Sequence, residues 1–379
     1  MLFESVVGQQ RAKQQLLQMW SESRLPHALL VLGNAGHGGL PIVLAFVQYL
    51  FCKNKQAHDA CGTCDECNRI AKLEHPDVHI SFPSIPPKPN TKAMSMHFMK
   101  EFREFIKQHP YGSTFEWLQH IQAENKQGNI TAEECRQIIE TLHLKSYEGK
   151  QKVQIIWRPE YLGKEGNILL KLIEEPPANT YIFLVAEQTE MILPTILSRT
   201  QTVKLSPIDV ADIAVALTNN LSIDSHKASQ IAQTCNGSYA EALSLAQHSQ
   251  NNLFPEVKRF FNMVFTNNRL EISKFVEQWS KAGREEQKFF LQYIIQLLGQ
   301  AIRLSYLPSQ NAALPPEDAT LVQKLIAKKM PNEILYEMVE QLAATSYNIE
   351  RNAHGKTQLH AMCIKVALLA NGLKLPQWN

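Results

Sequence analysis

The sequence predicts an α/β domain, with helices on both faces of a parallel sheet, followed by an all-helical remainder. A short apolar run, ALLVL at 28–32, ends in a glycine-rich loop and is followed by a helical pattern. Two more apolar runs, VQIIW at 153–157 and YIFLVA at 181–186, have a helical segment between them around 168–175. Such alternation indicates parallel strands. Beyond Leu205 the chain favours helices separated by Pro, Gly and Asn clusters.

Length and composition limit the class of protein. A chain of 379 residues with 44% hydrophobic residues is expected to form two or three domains. It has no apolar run of about 18 residues and no signal-peptide pattern at its start, so we expect a cytoplasmic protein without a membrane span. The net charge of +2 gives no broad basic surface, so any role on nucleic acid is expected to be shared with partners.

Apolar residues recur at helical spacing in the second half of the chain. Each such helix has one face to bury, against neighbouring helices or against other subunits. The clearest series are Phe290, Ile294, Leu297 and Ala301, and Leu335, Met338, Val339 and Leu342.

The stretch 84–129 interrupts the alternation of strands and helices. It begins near the sequence IPPKPN, and Phe98, Phe102, Phe105 and Ile106 follow in a helix-like pattern. Because no set of titratable residues converges in it, we expect a surface excursion with one amphipathic helix and no catalytic role.

The loop GNAGHGG, Gly33–Gly39, stands where a phosphate-binding loop would be. Such a loop has the form GxxxxGK followed by Ser or Thr, because its amides bind phosphates, Lys neutralises them and the hydroxyl holds magnesium. When Gly33 and Gly38 are aligned with the two glycines, Gly39 takes the Lys position and Leu40 the hydroxyl position. We therefore expect no tight ATP binding, although weak binding stays open. The residues of this degenerate loop are Gly33, Gly36, Gly38 and Gly39.

The end of the run 153–157 gives an independent test. In an ATPase this strand ends in acidic residues that hold magnesium and polarise the attacking water. Here the run continues into Arg158 and Pro159, and Glu160 is the first carboxylate. Two losses in one nucleotide site predict that the chain does not hydrolyse ATP.

Four of the seven cysteines fall in one short stretch with the spacing C-x8-C-x2-C-x2-C. In a reducing compartment this spacing favours a metal over disulfides, and four thiolates make a closed tetrahedral zinc site with a structural role. The predicted ligands are Cys52, Cys61, Cys64 and Cys67. The isolated Cys135, Cys235 and Cys363 are expected to be small buried apolar residues.

Several segments, in order along most of the chain, carry a family resemblance. They are FESVVGQ (3–9), RLPHALLVLG (24–33), the four-cysteine module, HPDV (75–78), NILLKLIEEPPANTYIFLV (167–185) and LPTILSRT (193–200). Together they resemble the delta-prime and gamma/tau family of bacterial clamp loaders. The resemblance implies an AAA+ ATPase-like domain over 1–206 with its zinc module at 52–67, a helical lid over 207–248 and a helical collar over 249–379 that holds a pentamer together.

In that family a Ser-Arg-Cys motif presents an arginine to ATP bound by the adjacent subunit. Ser198, Arg199 and Thr200 occupy the motif here, so the cysteine is replaced and the arginine is kept. Taken alone, Arg199 would be interpreted as a surface ion-pair residue. The surrounding motif instead implies an arginine finger, whose planar fork stabilises the charge on the transferring phosphate.

A third ATPase element is also replaced. The family's sensor arginine lies in a segment that here reads GSYAEAL (237–243), with Glu241 in the arginine position. These losses, with Arg199 kept, fit the delta-prime type better than the gamma/tau type. The resemblance implies gamma/tau and delta subunits, the sliding clamp and, through the assembled complex, primer-template DNA as partners in DNA replication.

Two other functions stay open from the sequence. An active gamma/tau-type motor would need a loop that binds nucleotide without Lys. A separate zinc-dependent DNA-binding module would need a basic face, but basic residues near the cysteines alternate with acidic ones. The basic residues are Lys53, Lys55, Arg69 and Lys72, and the acidic ones are Asp59, Asp65, Glu66 and Glu74.

Overall fold

Two compact units make up the chain, Met1–Ser244 and Leu245–Asn379. The computed structural model describes residues 1–88, 91–123, 126–147, 151–248, 253–306, 316–350 and 353–373. The predicted boundary after residue 248 falls near the division between the units. That boundary and the one after residue 206 both stay predictions.

The first unit is built on a sheet of five parallel strands. The strands are β1 (Ala28–Leu32), β2 (Val78–Ser81), β3 (Lys152–Trp157), β4 (Thr180–Ala186) and β5 (Gln201–Lys204). Their order across the sheet is β2-β3-β4-β1-β5, and every neighbouring pair is parallel. β1, β3 and β4 confirm the three predicted runs. The sequence did not predict β2 and β5, which have four residues each.

Helices cover both faces of this sheet, as predicted. Leu29 and Val31 of β1 pack into one apolar core together with the helix Gly39–Phe51. Ala28 and Leu30 pack into a second core on the opposite face. The alternation follows from the pleat of the strand, which directs successive side chains to opposite faces. The helices that begin in the first unit, whether or not they pack on the sheet, are α1 (Gln10–Ser21), α2 (Gly39–Phe51), α3 (Asp65–Ala71), α4 (Met99–Gln108), α5 (Thr114–His120), α6 (Ala132–His143), α7 (Leu170–Glu174), α8 (Pro194–Leu197), α9 (Val210–Leu221), α10 (Ser225–Thr234) and α11 (Tyr239–His248), with 3-10 segments at Phe3–Ser5, Ser95–Phe98 and Pro159–Leu169.

The expectation of a surface excursion over 84–129 is wrong. Ser84 and Asn129 join the two ends of the stretch in an antiparallel bridge. In the described part of the stretch lie two α-helices, α4 and α5, rather than one. Phe102 and Trp117 are fully buried, and the Phe102 ring stacks on Phe82 with centroids 3.9 Å apart. The apolar residues of α4 belong to the same core as residues of β1 and β3. The stretch therefore supplies part of the main apolar core of the first unit.

The second unit is helical throughout its described residues, as the sequence predicts. Its helices are α12 (Phe254–Phe265), α13 (Arg269–Trp279), α14 (Arg284–Tyr306), α15 (Pro316–Ala327), α16 (Asn332–Glu350) and α17 (Gly355–Ala370). The predicted face of α14 is buried, and on α16 only Val339 of the predicted series is half-buried rather than buried. Among the residues described, no helix combines the length and the apolar character needed to cross a membrane.

Candidate functional site

The glycine-rich loop joins β1 to α2. The N–H of Gly33 donates to the carbonyl of Ala186 at 3.1 Å, so the loop leaves the sheet beside the end of β4. Gly36 and Gly38 have φ values of +79° and +90°, a region that favours glycine. Gly39 is the first residue of α2, where a phosphate-loop Lys would stand, and a Cβ there would lie 3.0 Å from Cγ1 of Val185.

The cavity beside the loop is small. Its volume is about 30 Å³, and its lining includes Gly36, Gly39, Tyr111, Arg158 and Glu187. A space of this size accommodates about one or two water molecules. The enclosed part of the cavity is therefore much smaller than the triphosphate of a nucleotide.

Arg158 fills the end of β3, where an ATPase carries its magnesium-binding acids. Its backbone has φ +64° and its side chain is only 13% exposed. The guanidinium pairs with Glu187 and, at 3.6 Å, with Glu160. One oxygen of Glu160 also accepts the N–H groups of Glu187 and Gln188 at 2.6 and 3.0 Å. The two carboxylates near the end of β3, Glu160 and Glu187, thus face the Arg158 guanidinium, and Glu160 also accepts from backbone amides.

The segment before α11 packs directly on the glycine loop. The N–H of Tyr239 donates to the carbonyl of Gly36 at 3.0 Å, and the Ser238 hydroxyl donates to the carbonyl of Ala35 at 3.1 Å. The rings of Tyr239 and Tyr111 meet edge to face, with centroids 4.9 Å apart. Sequence reasoning missed both tyrosines. The glycine next to Ser238 was noted only as part of a sensor motif, and no local pattern signals so distant a contact.

The four predicted metal ligands come together as expected. The sulfur atoms of Cys52, Cys61, Cys64 and Cys67 all lie within 4.8 Å of one another. Cys52 directly follows α2 and Cys64 directly precedes α3, while Gly62, at φ +71°, forms the tight turn between two of the cysteines. Sulfur atoms around one tetrahedral zinc, at about 2.3 Å each, would have separations in this range. The cluster can therefore bind a metal ion.

Backbone amides support the cysteine sulfur atoms. The N–H of Cys61 donates to the Cys52 sulfur at 3.2 Å, and the N–H of Cys64 donates to the Cys61 sulfur at 3.4 Å. Backbone hydrogen bonds from Thr63 and Cys64 lower the pKa of Cys61 to about 6. Donors of this kind favour the thiolate, which is the form that ligates metals. The other three cysteines, Cys135, Cys235 and Cys363, are fully buried as predicted.

A buried carboxylate connects this cluster to the sheet. Glu66 of α3 is 3% exposed and pairs with Lys53 at 2.8 Å, with Arg69 at 2.9 Å and with Nε2 of His75 at 2.8 Å. Nδ1 of His75 accepts the N–H of Asp77 at 3.1 Å. The sequence marked HPDV as a family motif, and the structure shows what its histidine contacts.

Ser198 and Arg199 lie after α8, immediately before β5. Neither residue lines the cavity beside the glycine loop. The Arg199 side chain is one-third exposed, and its NH1 donates to the Thr195 carbonyl at 3.0 Å. Its Nε and NH2 each lie 3.3 Å from an oxygen of Glu174, the last residue of α7. Sequence reasoning did not single out Glu174.

The chain is similar to subunits of DNA polymerase III. The family model for the DNA polymerase III delta subunit matches residues 8–209. The DNA polymerase III subunit delta' of Bacillus subtilis is 27% identical over 64% of this chain and 60% of its own length, and that of Yersinia pestis is 27% identical over 49% and 43%. The chain thus matches about half the length of these relatives.

Subunits with other names are also similar. The DNA polymerase III subunit gamma of Buchnera aphidicola is 24% identical over 66% of this chain and 59% of its own length. A solved gamma-subunit-related protein of Thermotoga maritima has a TM-score of 0.37, with 16% identity over 94% of this chain and 99% of that one. Because subunits named delta' and subunits named gamma are both similar to this chain, the similarity does not decide between the delta-prime and gamma/tau types. The family match covers more than half of the chain, which therefore belongs to the DNA polymerase III delta-subunit family, the clamp-loader family that its motifs resemble.

Proposed function

We propose that the chain is a delta-prime-type subunit of a DNA sliding-clamp loader that does not hydrolyse ATP itself. The observation that carries this proposal is the ion pair of Arg158 with Glu187, which occupies the end of β3 where a motor would hold magnesium. The small cavity beside the loop and the contact of Tyr239 with Gly36 support it. Three separate elements would have to change before this site could accept Mg-ATP.

Arg199 is proposed to act on ATP held by an adjacent motor subunit. Its position away from its own glycine loop and its partial exposure support an action in trans. An arginine fork stabilises the charge on the transferring phosphoryl group and can be worth about 10³ to 10⁵ in rate at one site. Ser198, whose hydroxyl lies 3.4 Å from NH1, would help to orient the fork.

The proposed partners follow from the family. They are the gamma/tau and delta subunits, the sliding clamp and, through the assembled complex, primer-template DNA in the cytoplasm. The cysteine cluster is proposed to hold one structural zinc ion, because four thiolates leave no coordination position for a substrate. The zinc would hold the turns between α2 and α3 in place. Its role would be structural, and the residues around it would not take part in catalysis.

The second candidate is a gamma/tau-type motor, since gamma and tau subunits are among the similar proteins. That function requires tight Mg-ATP binding at the glycine loop, and a titration with the pure chain distinguishes the two. A separate zinc-dependent DNA-binding module is less well supported. Lys53 and Arg69, two of the four basic residues near the cysteines, are paired with Glu66.

Reconstitution of the loader with its motor subunits tests the proposed role of Arg199. Arg199→Ala should assemble normally and lower both clamp loading and DNA-stimulated ATP hydrolysis. The fall in the whole complex should be smaller than about 10³, because the other sites keep their own arginines. Arg199→Lys should rescue poorly, since a point charge does not reproduce a bidentate fork. A control is Arg136→Ala, which removes another ion-paired arginine, one that is more exposed than Arg199. An Arg199→Ala loader that works at the unmodified rate would refute this role.

A further inference from the structure

The guanidinium of Arg199 is already occupied in the free chain. NH1 donates to the Thr195 carbonyl at 3.0 Å and to the Ser198 hydroxyl at 3.4 Å. NH2 donates to Oε1 of Glu174 at 3.3 Å, and Nε lies 3.3 Å from Oε2 of the same carboxylate. The Glu174 carboxylate thus lies along the Nε–NH2 edge of the fork, where a phosphate would make its two parallel contacts.

Arg199 has too few N–H groups to keep these contacts and also bind a phosphate through two donors. A guanidinium has five N–H groups, and a carboxylate and a phosphate compete for the same edges. NH1 has two acceptors and NH2 donates to Glu174, while Nε makes no hydrogen bond to any described residue but faces the same carboxylate. No edge of the fork therefore has two unoccupied N–H groups. Arg199 therefore has to release a partner before it can contact a phosphate with two donors.

Glu174 is the partner that is easiest to release. The Thr195 carbonyl and the Ser198 hydroxyl belong to the same short turn as Arg199, whereas Glu174 reaches the fork from α7. Its side chain is 56% exposed, so water and salt can replace the contact. Exposed pairs of this kind change an equilibrium by at most about five-fold.

We propose that Glu174 holds the fork of Arg199 in the free chain and exchanges it for the ATP phosphate of the neighbouring subunit on assembly. Glu174 is thus a positioning residue, and its carboxylate takes the place of the incoming phosphate. The inference rests on the trans-acting role of Arg199 proposed above. As a consequence, the finger is held in one orientation before assembly. When ATP is present, the Glu174 carboxylate competes modestly with the phosphate for the guanidinium.

A complex in which only one site depends on a finger tests this exchange. The loader is reconstituted with motor subunits whose own Ser-Arg-Cys arginines are changed to alanine, so that Arg199 serves the remaining site. In that complex Glu174→Gln should raise DNA-stimulated ATP hydrolysis at saturating ATP by about two- to five-fold, because the competing charge is gone. Glu174→Asp, which keeps the charge but shortens the reach, should show a smaller rise. The gain should shrink as the salt concentration is raised.

The matched control is Glu175→Gln, which removes the adjacent exposed carboxylate. In the described part of the chain, Glu175 makes no ion pair with Arg199. An equal gain from Glu175→Gln, a persistent gain on an Arg199→Ala background, or an unchanged or lower rate for Glu174→Gln would overturn the inference. If Arg199→Ala itself leaves the rate unchanged, the proposed finger fails first. If Arg199→Ala lowers the rate and Glu174→Gln does not raise it, only the exchange is wrong.

Discussion

At the scale of single residues, Glu66 shows which features of the site a sequence reveals. The four cysteines could be predicted because their spacing alone indicates a shared metal. Glu66 could not, because its partners Lys53 and His75 are selected by the fold and follow no local pattern. A carboxylate that is 3% exposed is stable only when it is paired, and here three basic side chains surround it. The carboxylate therefore connects α3 to the residues just before β2, through its contact with His75.

Removing the Glu66 carboxylate should destabilise the first unit. Glu66→Ala removes the carboxylate that the buried His75 ring and Arg69 contact, and loss of one partner of a buried pair costs about 3 kcal/mol. Denaturant unfolding of the purified chain measures the change. Glu74→Ala is the control, because its pair with Arg103 at 3.6 Å is exposed and should contribute less than about 1 kcal/mol. Equal losses for the two variants would show that Glu66 is an ordinary surface charge.

At the scale of elements, the glycine loop shows why a correct motif can still leave its neighbours unknown. The sequence predicts the strand, the loop and the helix, since their signals are local. It does not predict that the start of α11, some two hundred residues later, hydrogen-bonds to the loop at Gly36. That contact depends on a close approach of two backbones, which no periodicity reports. A Cβ at Gly36 would lie 2.0 Å from the Ser238 hydroxyl, so glycine is required there for space as well as for φ.

Gly36→Ala should therefore detach the start of α11 from the loop. The expected result is faster hydrogen exchange at the Tyr239 amide, which donates to Gly36, together with a loss of stability. Gly163→Ala is the control, because Gly163 also has a positive φ, +51°, but a Cβ added there would have no neighbouring atom within 4 Å. It should cost only backbone strain, about 1 to 3 kcal/mol, and leave Tyr239 protected. Unchanged exchange at Tyr239 in Gly36→Ala would contradict the packing described above.

The cysteine module gives a second prediction at this scale. Purified protein should contain about one zinc per chain, and a strong chelator or Cys64→Ser should loosen the segment between α2 and α3. The amides of Phe3 and Glu4 report this change, because they donate to the Asp59 carboxylate within the module at 3.0 and 2.9 Å. Their exchange should accelerate without metal, while the amides of α14 in the second unit should not respond. A metal-free protein with full protection at both amides would exclude a structural metal.

At the scale of the whole molecule, burial decides which parts of the fold were predictable. β1, β3 and β4 lie inside the sheet and are buried on both faces, so they appear in the sequence as continuous apolar runs. The edge strand β5 exposes three of its four side chains and has no such run. The burial of the stretch 84–129 was not predicted, because Pro and polar residues are its aromatic residues' neighbours in the sequence. Its contribution to the core depends on contacts such as Phe102 with Trp157, whose ring centroids are 5.6 Å apart.

The proposed loss of nucleotide binding depends on residues from distant parts of the chain, which leads to the last prediction. Gly39→Lys restores the missing charge, but it should not restore tight Mg-ATP binding or turnover. Its Cβ would lie 3.0 Å from Val185, and the enclosed cavity of about 30 Å³ is much smaller than a triphosphate. Leu40 still lacks a hydroxyl for magnesium, and the Arg158 guanidinium adds a positive charge where a magnesium ion would need anions. Calorimetric titration with Mg-ATP should therefore give the same weak or absent heat for the variant and the unchanged chain, with matching thermal unfolding as the check on folding. Tight binding or hydrolysis by either protein would favour the gamma/tau-type motor, because it would show that the walls of this site can rearrange around a nucleotide.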